Sequence, residues 1–68
     1  MTIKEIKDLH DAVPFKPFTL NLNSGRNVTI PSIDHLFIAP NKKHLVAYDA
    51  DEHLYIVDLE NISALVIT

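Results

Sequence analysis

The side chains in this sequence that titrate near neutrality are four histidines, His10, His35, His44 and His53. His44 and His53 lie close in sequence to Asp49 and Asp58, and imidazole with carboxylate is a donor set that holds transition metals. Strict strand alternation, however, puts those aspartates on the face opposite the histidines, so the four residues are not expected to converge. Asp49, Asp51 and Glu52 crowd one turn and offer carboxylates suited to calcium. The EF-hand spacing and its glycine are missing, and acids at a solvated turn need no ion. Ser24, Ser32 and Ser63 sit in no nucleophile motif, and none has a histidine at motif spacing. Every acid has a solvated-turn explanation, which leaves no carboxylate pair for acid–base work. The sequence therefore assigns no catalytic residue, no cofactor and no metal ligand, and it reads as a non-enzyme.

Composition narrows the remaining classes. The 68 residues contain no cysteine, which excludes disulfide frameworks and cysteine-based zinc sites. Gly25 is the single glycine, too few for a phosphate-cradling loop or a dinucleotide fingerprint. Nine acids against six bases give a net charge of −3, the wrong sign for a protein built on phosphate contacts. The nucleic-acid alternative is a weak single-strand-binding patch of Arg26, Lys42 and Lys43, with Tyr48 and Tyr55 as stacking surfaces. The opening MTIKEIKDLHDAV is charged every few residues, with no apolar run for a signal peptide or membrane span, so the expected compartment is the cytoplasm. In that setting the sequons at Asn27-Val28-Thr29 and Asn61-Ile62-Ser63 are read as chance.

The elements follow from periodicity. Thr2 and Glu5 form a capping-box pattern, and Ile3, Ile6, Leu9 and Val13 recur at helical spacing until Pro14. This predicts an amphipathic helix over about residues 3–12. Pro14-Phe15-Lys16-Pro17-Phe18 fits the P-x-x-P pattern of SH3 ligands, but its position between ordered segments makes it a helix-to-strand corner held by two aromatics. Period-two alternation then predicts strands at about 18–23, 26–31, 36–39, 44–48, 53–58 and 62–67. A turn at Asn23–Arg26 uses Gly25, and Pro31 breaks the pairing after the second strand. Between the fourth and fifth strands a two-residue type I′ turn would need positive φ at Glu52, so a four-residue loop, Asp49–Glu52, is expected. That loop sets Tyr48 opposite His53, Val46 opposite Tyr55 and His44 opposite Val57. The expected fold is a single α+β or mostly-β domain over residues 1–68, one helix packed on a strongly bent five- to six-stranded antiparallel sheet or small barrel.

The later strands are apolar on both sides. Leu45 and Ala47 oppose Val46 and Tyr48, Leu54 and Ile56 oppose Tyr55 and Val57, and Ile62, Ala64 and Val66 oppose Leu65 and Ile67. One helix cannot cover both faces of so small a domain. Self-association or capture of a protein partner through the C-terminal strands is therefore the expected function, with Ile62, Leu65, Val66 and Ile67 as the interface and β-augmentation at the last strand as one route.

The run from Pro14 through Arg26, then Val28, Ile30-Pro31, Asp58-Leu59 and Ile62, resembles a group of small bacterial proteins of unassigned activity. They open with a short helix and a PFxPF element and continue into a strand that ends in an acid, Gly and Arg. Ser24 stands here for the acid, and Pro31-Ser32 for a common His-Pro. The resemblance covers nearly the whole chain and implies a stand-alone bacterial domain. Element order is also similar to the Sm-like and SH3-like barrels, with Gly25 and Asp34 near the places where the Sm pattern has a glycine and an acid. Sm-like barrels form rings and bind RNA. Asp58-Leu59-Glu60-Asn61 replaces their basic or glycine-containing motif, so ring or dimer assembly is the part of that likeness which carries over.

Overall fold

The computed structural model describes residues 1–67. Helix α1 (Ile3–His10) opens on Thr2, whose hydroxyl oxygen accepts the Glu5 N–H at 3.4 Å, while the Thr2 N–H donates to Glu5 Oε1 at 3.1 Å. Both halves of the capping box are thus made. Lys4–Asp8 and Lys7–Asp11 pairs, 2.8 and 2.9 Å, line the wet side, while Ile6 is wholly buried and Ile3 and Leu9 pack beside it. The helix ends at His10, two residues before the expected 12, and its C-cap Asp11 closes the last turn with its N–H on Lys7 C=O. Val13, next to Pro14 in a cis peptide, already lies outside. Phe15 and Phe18, ring centres 5.9 Å apart, hold the corner into the first strand.

Six strands follow: β1 (Phe18–Leu22), β2 (Asn27–Ile30), β3 (Leu36–Ile38), β4 (His44–Tyr48), β5 (Leu54–Asp58) and β6 (Ile62–Ile67). Single 3₁₀ turns lead into β3 (Ile33–His35) and β6 (Leu59–Asn61). The strands do not form one ladder. They divide into two three-stranded antiparallel sheets, β2–β1–β6 and β3–β4–β5. Pro31 explains the division, since a residue without an N–H cannot continue the β2 pairing into β3. Phe18, Leu20, Val28, Ile30 and Ile62 from the first sheet meet Leu36, Leu45, Ala47 and Val57 from the second, with Ile6 of the helix, in one buried cluster. The Asn23 N–H and side chain donate to Asn61 and Glu60 C=O (2.7 and 3.2 Å) and tie the β1–β2 turn to the turn before β6.

One expected pairing and one expected side-chain facing are corrected. In the β4–β5 hairpin, Tyr48 faces Leu54, Val46 faces Ile56 and His44 faces Asp58, one residue away from the expected register. The cause is the loop. Asp49 N–H donates to His53 C=O (3.2 Å) and Glu52 N–H to Asp49 C=O (3.0 Å), which leaves a three-residue loop, Ala50–Glu52, with Glu52 at φ 65°. The β1–β2 turn has the same arrangement with Gly25 at φ 93° in the left-handed place, so Glu52 occupies a glycine's position. In β6, the register shifts between Asn21–Ala64 and Leu22–Ile62. Ser63 is the extra residue, its hydroxyl donating to Asn21 C=O at 3.0 Å. The bulge turns Ile62 inward, onto the same side as Leu65 rather than with Ala64 and Val66.

Glu52→Gly should therefore stabilise the fold by about 0.5–1 kcal/mol, because it relieves a left-handed side chain that glycine adopts freely. Urea unfolding measures it, and an unchanged or lowered midpoint would contradict the turn assignment.

Candidate interaction surface

The outer faces of the two sheets differ in chemistry. On β1 and β2 the outward residues are Thr19, Asn21, Asn27 and Thr29, with Thr19 and Thr29 hydroxyls 3.0 Å apart across the ladder, and β6 adds Ala64 and Val66. On β3, β4 and β5 they are Phe37, Val46, Tyr48, Leu54 and Ile56. Phe37 sits 52% exposed, Leu54 55% and Ile56 74%, although they stand in regular paired strands. Phe37 and Tyr48 meet edge to face, ring centres 6.4 Å apart. Alternation fixes this orientation, since the intervening Leu36, Leu45, Ala47 and Val57 are all buried.

The two ends of this face are lined differently, with Lys43, His44, Asp58, Leu59 and Glu60 around a depression at one of them. One end has the outward His44–Asp58 pair, Nε2 to Oδ1 2.8 Å, with the Lys42-Lys43 turn beside it. His44 Nδ1 also lies 3.0 Å from the Asn41 amide nitrogen. At the other end Tyr48 borders a depression lined by Asp34, His35 and Glu52. The Ser32 hydroxyl lies 2.7 Å from His35 Nδ1, and the His35 N–H donates to Ser32 C=O, so this contact closes the 3₁₀ turn into β3.

The β4–β5 loop is built on Asp49. Its Oδ1 accepts the N–H groups of Asp51 and His53, both at 2.9 Å, and its Oδ2 accepts the Tyr55 hydroxyl at 2.8 Å and lies 3.0 Å from His53 Nδ1. Asp49, Asp51 and His53 hold one donor atom each within 4.8 Å of one another. Those hydrogen bonds engage both Asp49 oxygens and account for the cluster as a turn device. The histidines and aspartates once weighed as a metal set thus form two pairs at opposite ends of the hairpin, and the single-residue change of register makes Asp58 face His44 directly. His10 has its own role, with Nε2 3.1 Å from Ile33 C=O and Nδ1 2.9 Å from Asp11 Oδ1, which joins the helix end to the 3₁₀ turn.

The residues singled out by sequence are placed as follows. Ile62 is a core residue at 4% exposure, and Leu65 packs against that core. Val66 and Ile67 are exposed but alternate to opposite sides of β6, so the four do not form one patch. Of the basic set, Arg26 stacks over Tyr55, 6.0 Å from its ring centre. Tyr55 shares the inward side of the hairpin with Ala47, whereas Tyr48 points outward, and Lys42 and Lys43 occupy the β3–β4 loop. Sequence reasoning missed Phe37, Leu54 and Ile56 as surface residues. Their signal was present in the doubly apolar strands, but selecting the outer face needed the register. Among the described residues no helix is long and apolar enough to cross a membrane. Comparison with protein-family models, curated proteins and solved structures finds no match to the chain.

Asp49 is held at about 2, against an ordinary 3.8, chiefly by the His53 N–H, with Tyr55, the His53 ring and the Asp51 N–H adding to the effect against partial desolvation. A carboxyl depressed in the folded state stabilises the fold above its unfolded value, and that contribution is lost as pH falls from about 4 toward 2. Asp49→Asn should therefore lower the urea midpoint at pH 7 and make the acid-side decline shallower than in the wild type. An equally steep decline would show that the loop carboxylate is not the linked group.

Proposed function

We propose that the protein is a non-catalytic interaction module of SH3-like or Sm-like layout, acting in the cytoplasm, and that its contact surface is the outer face of β3–β4–β5. The observation that carries this reading is the contrast between the two sheets. One outer face is threonine and asparagine on β1 and β2 with Ala64 and Val66 on β6, and the other presents Phe37, Val46, Tyr48, Leu54 and Ile56 together. Contiguous apolar patches on the order of 400 Å² mark contact sites on soluble proteins, whereas single exposed aliphatics do not. The helix and the antiparallel strands support a compact module, and the resemblance to small bacterial helix–PFxPF–strand proteins supports a stand-alone domain. The nucleic-acid reading has less support, because its two tyrosines project from opposite sides of one hairpin.

Two kinds of substitution separate a contact face from a face the fold needs. Ile56→Lys should leave folding stability within about 0.5 kcal/mol of wild type in dilute solution. Leu45→Ala, which opens a cavity in the core, should cost about 2–5 kcal/mol. In extracts of the native host, the wild-type chain should elute in a larger species and Ile56→Lys as a free chain. Equal destabilisation by the two changes, or identical elution of wild type and Ile56→Lys, would refute the assignment.

A further inference from the structure

We infer that His44 is a proton-operated switch for the turn between β3 and β4: neutral, it holds the Asn41 amide in place, and protonated, it expels it. The inference stands apart from the contact-face reading and rests on the donors and acceptors around one ring. Asn41 Oδ1 accepts the Lys43 N–H at 2.8 Å. That bond fixes which end of the amide is oxygen, so the group 3.0 Å from His44 Nδ1 is the Asn41 NH2. An NH2 group only donates, and Nδ1 must therefore present its lone pair. The ring hydrogen of the neutral imidazole then sits on Nε2, which lies 2.8 Å from Asp58 Oδ1, an acceptor. His10 differs, because both of its ring nitrogens lie beside oxygen acceptors, Asp11 Oδ1 and Ile33 C=O. At His44 a second proton has no place on the ring except against a donor.

Protonation at Nδ1 sets two donors against each other 3.0 Å apart. Asp58 attracts the imidazolium through Nε2 and keeps the ring where it is, so the amide is the part that moves. If the amide swings away, Oδ1 leaves the Lys43 N–H. If it flips instead, Oδ1 reaches Nδ1 but the NH2 group meets the Lys43 N–H. Either movement costs the Lys43 N–H its acceptor. That bond spans Lys42, held at φ 59° in the left-handed region that favours glycine. The other bonds of the turn, Ala39 N–H to His44 C=O (2.9 Å) and Lys42 N–H to Ala39 C=O (2.8 Å), involve no side chain. The change is thus confined to Asn41–Lys43. The charged and titratable groups around His44 are Asp58 from β5, Glu60 from the 3₁₀ turn before β6, and Lys43 with Lys42 from the turn itself, while β2 and β3 contribute none. Of these residue types imidazole alone ordinarily changes charge between about pH 5 and 8. The half-exposed ring takes its proton directly from solvent.

Heteronuclear NMR of the full chain at about pH 7.5 and about pH 5.5 tests this. At the higher pH the ring hydrogen of His44 should be found on Nε2. Protection of the Lys43 amide against water exchange, taken relative to its intrinsic rate, should fall roughly two- to tenfold at the lower pH, the weight of one hydrogen bond. Asn41→Asp keeps an oxygen for the Lys43 N–H and offers a second to a protonated Nδ1, so its protection should not fall. His44→Gln, which has no proton to gain, should likewise show no fall, with circular dichroism checking that both variants fold as the wild type does. A ring hydrogen on Nδ1 at the higher pH would overturn the inference. So would undiminished Lys43 protection in the wild type, or a fall that persists in His44→Gln.

Discussion

The rest of this structure depends on two small sheets having to share one core. The inner faces of β2–β1–β6 and β3–β4–β5 are buried in one cluster, to which the helix contributes one fully buried residue, Ile6. Phe18, Leu20, Ile30, Leu36 and Leu45 are therefore enclosed by one another across the sheet interface. The inner faces are fully committed to that contact. Any further apolar side chain must lie outside, and the described residues include no additional layer to cover it.

The turns decide which side chains fall outside. At the β4–β5 loop a carboxylate performs the work that glycine performs at Gly25. Asp49 gathers two backbone N–H groups, and this holds Glu52 in a left-handed conformation that its own side chain disfavours. One residue less in the loop moves every cross-strand partner by one place. It brings His44 against Asp58 and puts Tyr55 behind Ala47 instead of Val46. Ser63 does the corresponding work in β6, where one extra residue reverses the side on which Ile62 lies.

That explains what could be read from sequence and what could not. The helix start was legible because Thr2 and Glu5 are a local device, and the strand positions were legible because Phe18-Thr19-Leu20-Asn21-Leu22 alternates without ambiguity. Strands such as His44–Tyr48 are apolar at successive positions, so alternation locates them without saying which side faces the core. That choice depends on loop conformations set by hydrogen bonds that Asp49 accepts and Ser63 donates, which a pattern of apolar and polar residues does not encode. The surplus of apolar surface was visible, but its address was not. For this reason the interface we propose lies at Phe37, Leu54 and Ile56 rather than at Ile62, Leu65, Val66 and Ile67.

The β1–β2 hairpin supplies the internal control for that conclusion. Thr19 and Thr29 form strands as readily as Val46 and Ile56 do, because β-branching rather than hydrophobicity is what the pleated backbone favours. A threonine-rich outer face would have served the fold equally well on β4 and β5, and would have blunted an otherwise open edge. Strand formation therefore does not require the aliphatics at 46, 54 and 56, and neither does the core, which they do not touch from the outer side. That surplus is the physical basis for the contact surface proposed on the outer face of β3–β4–β5.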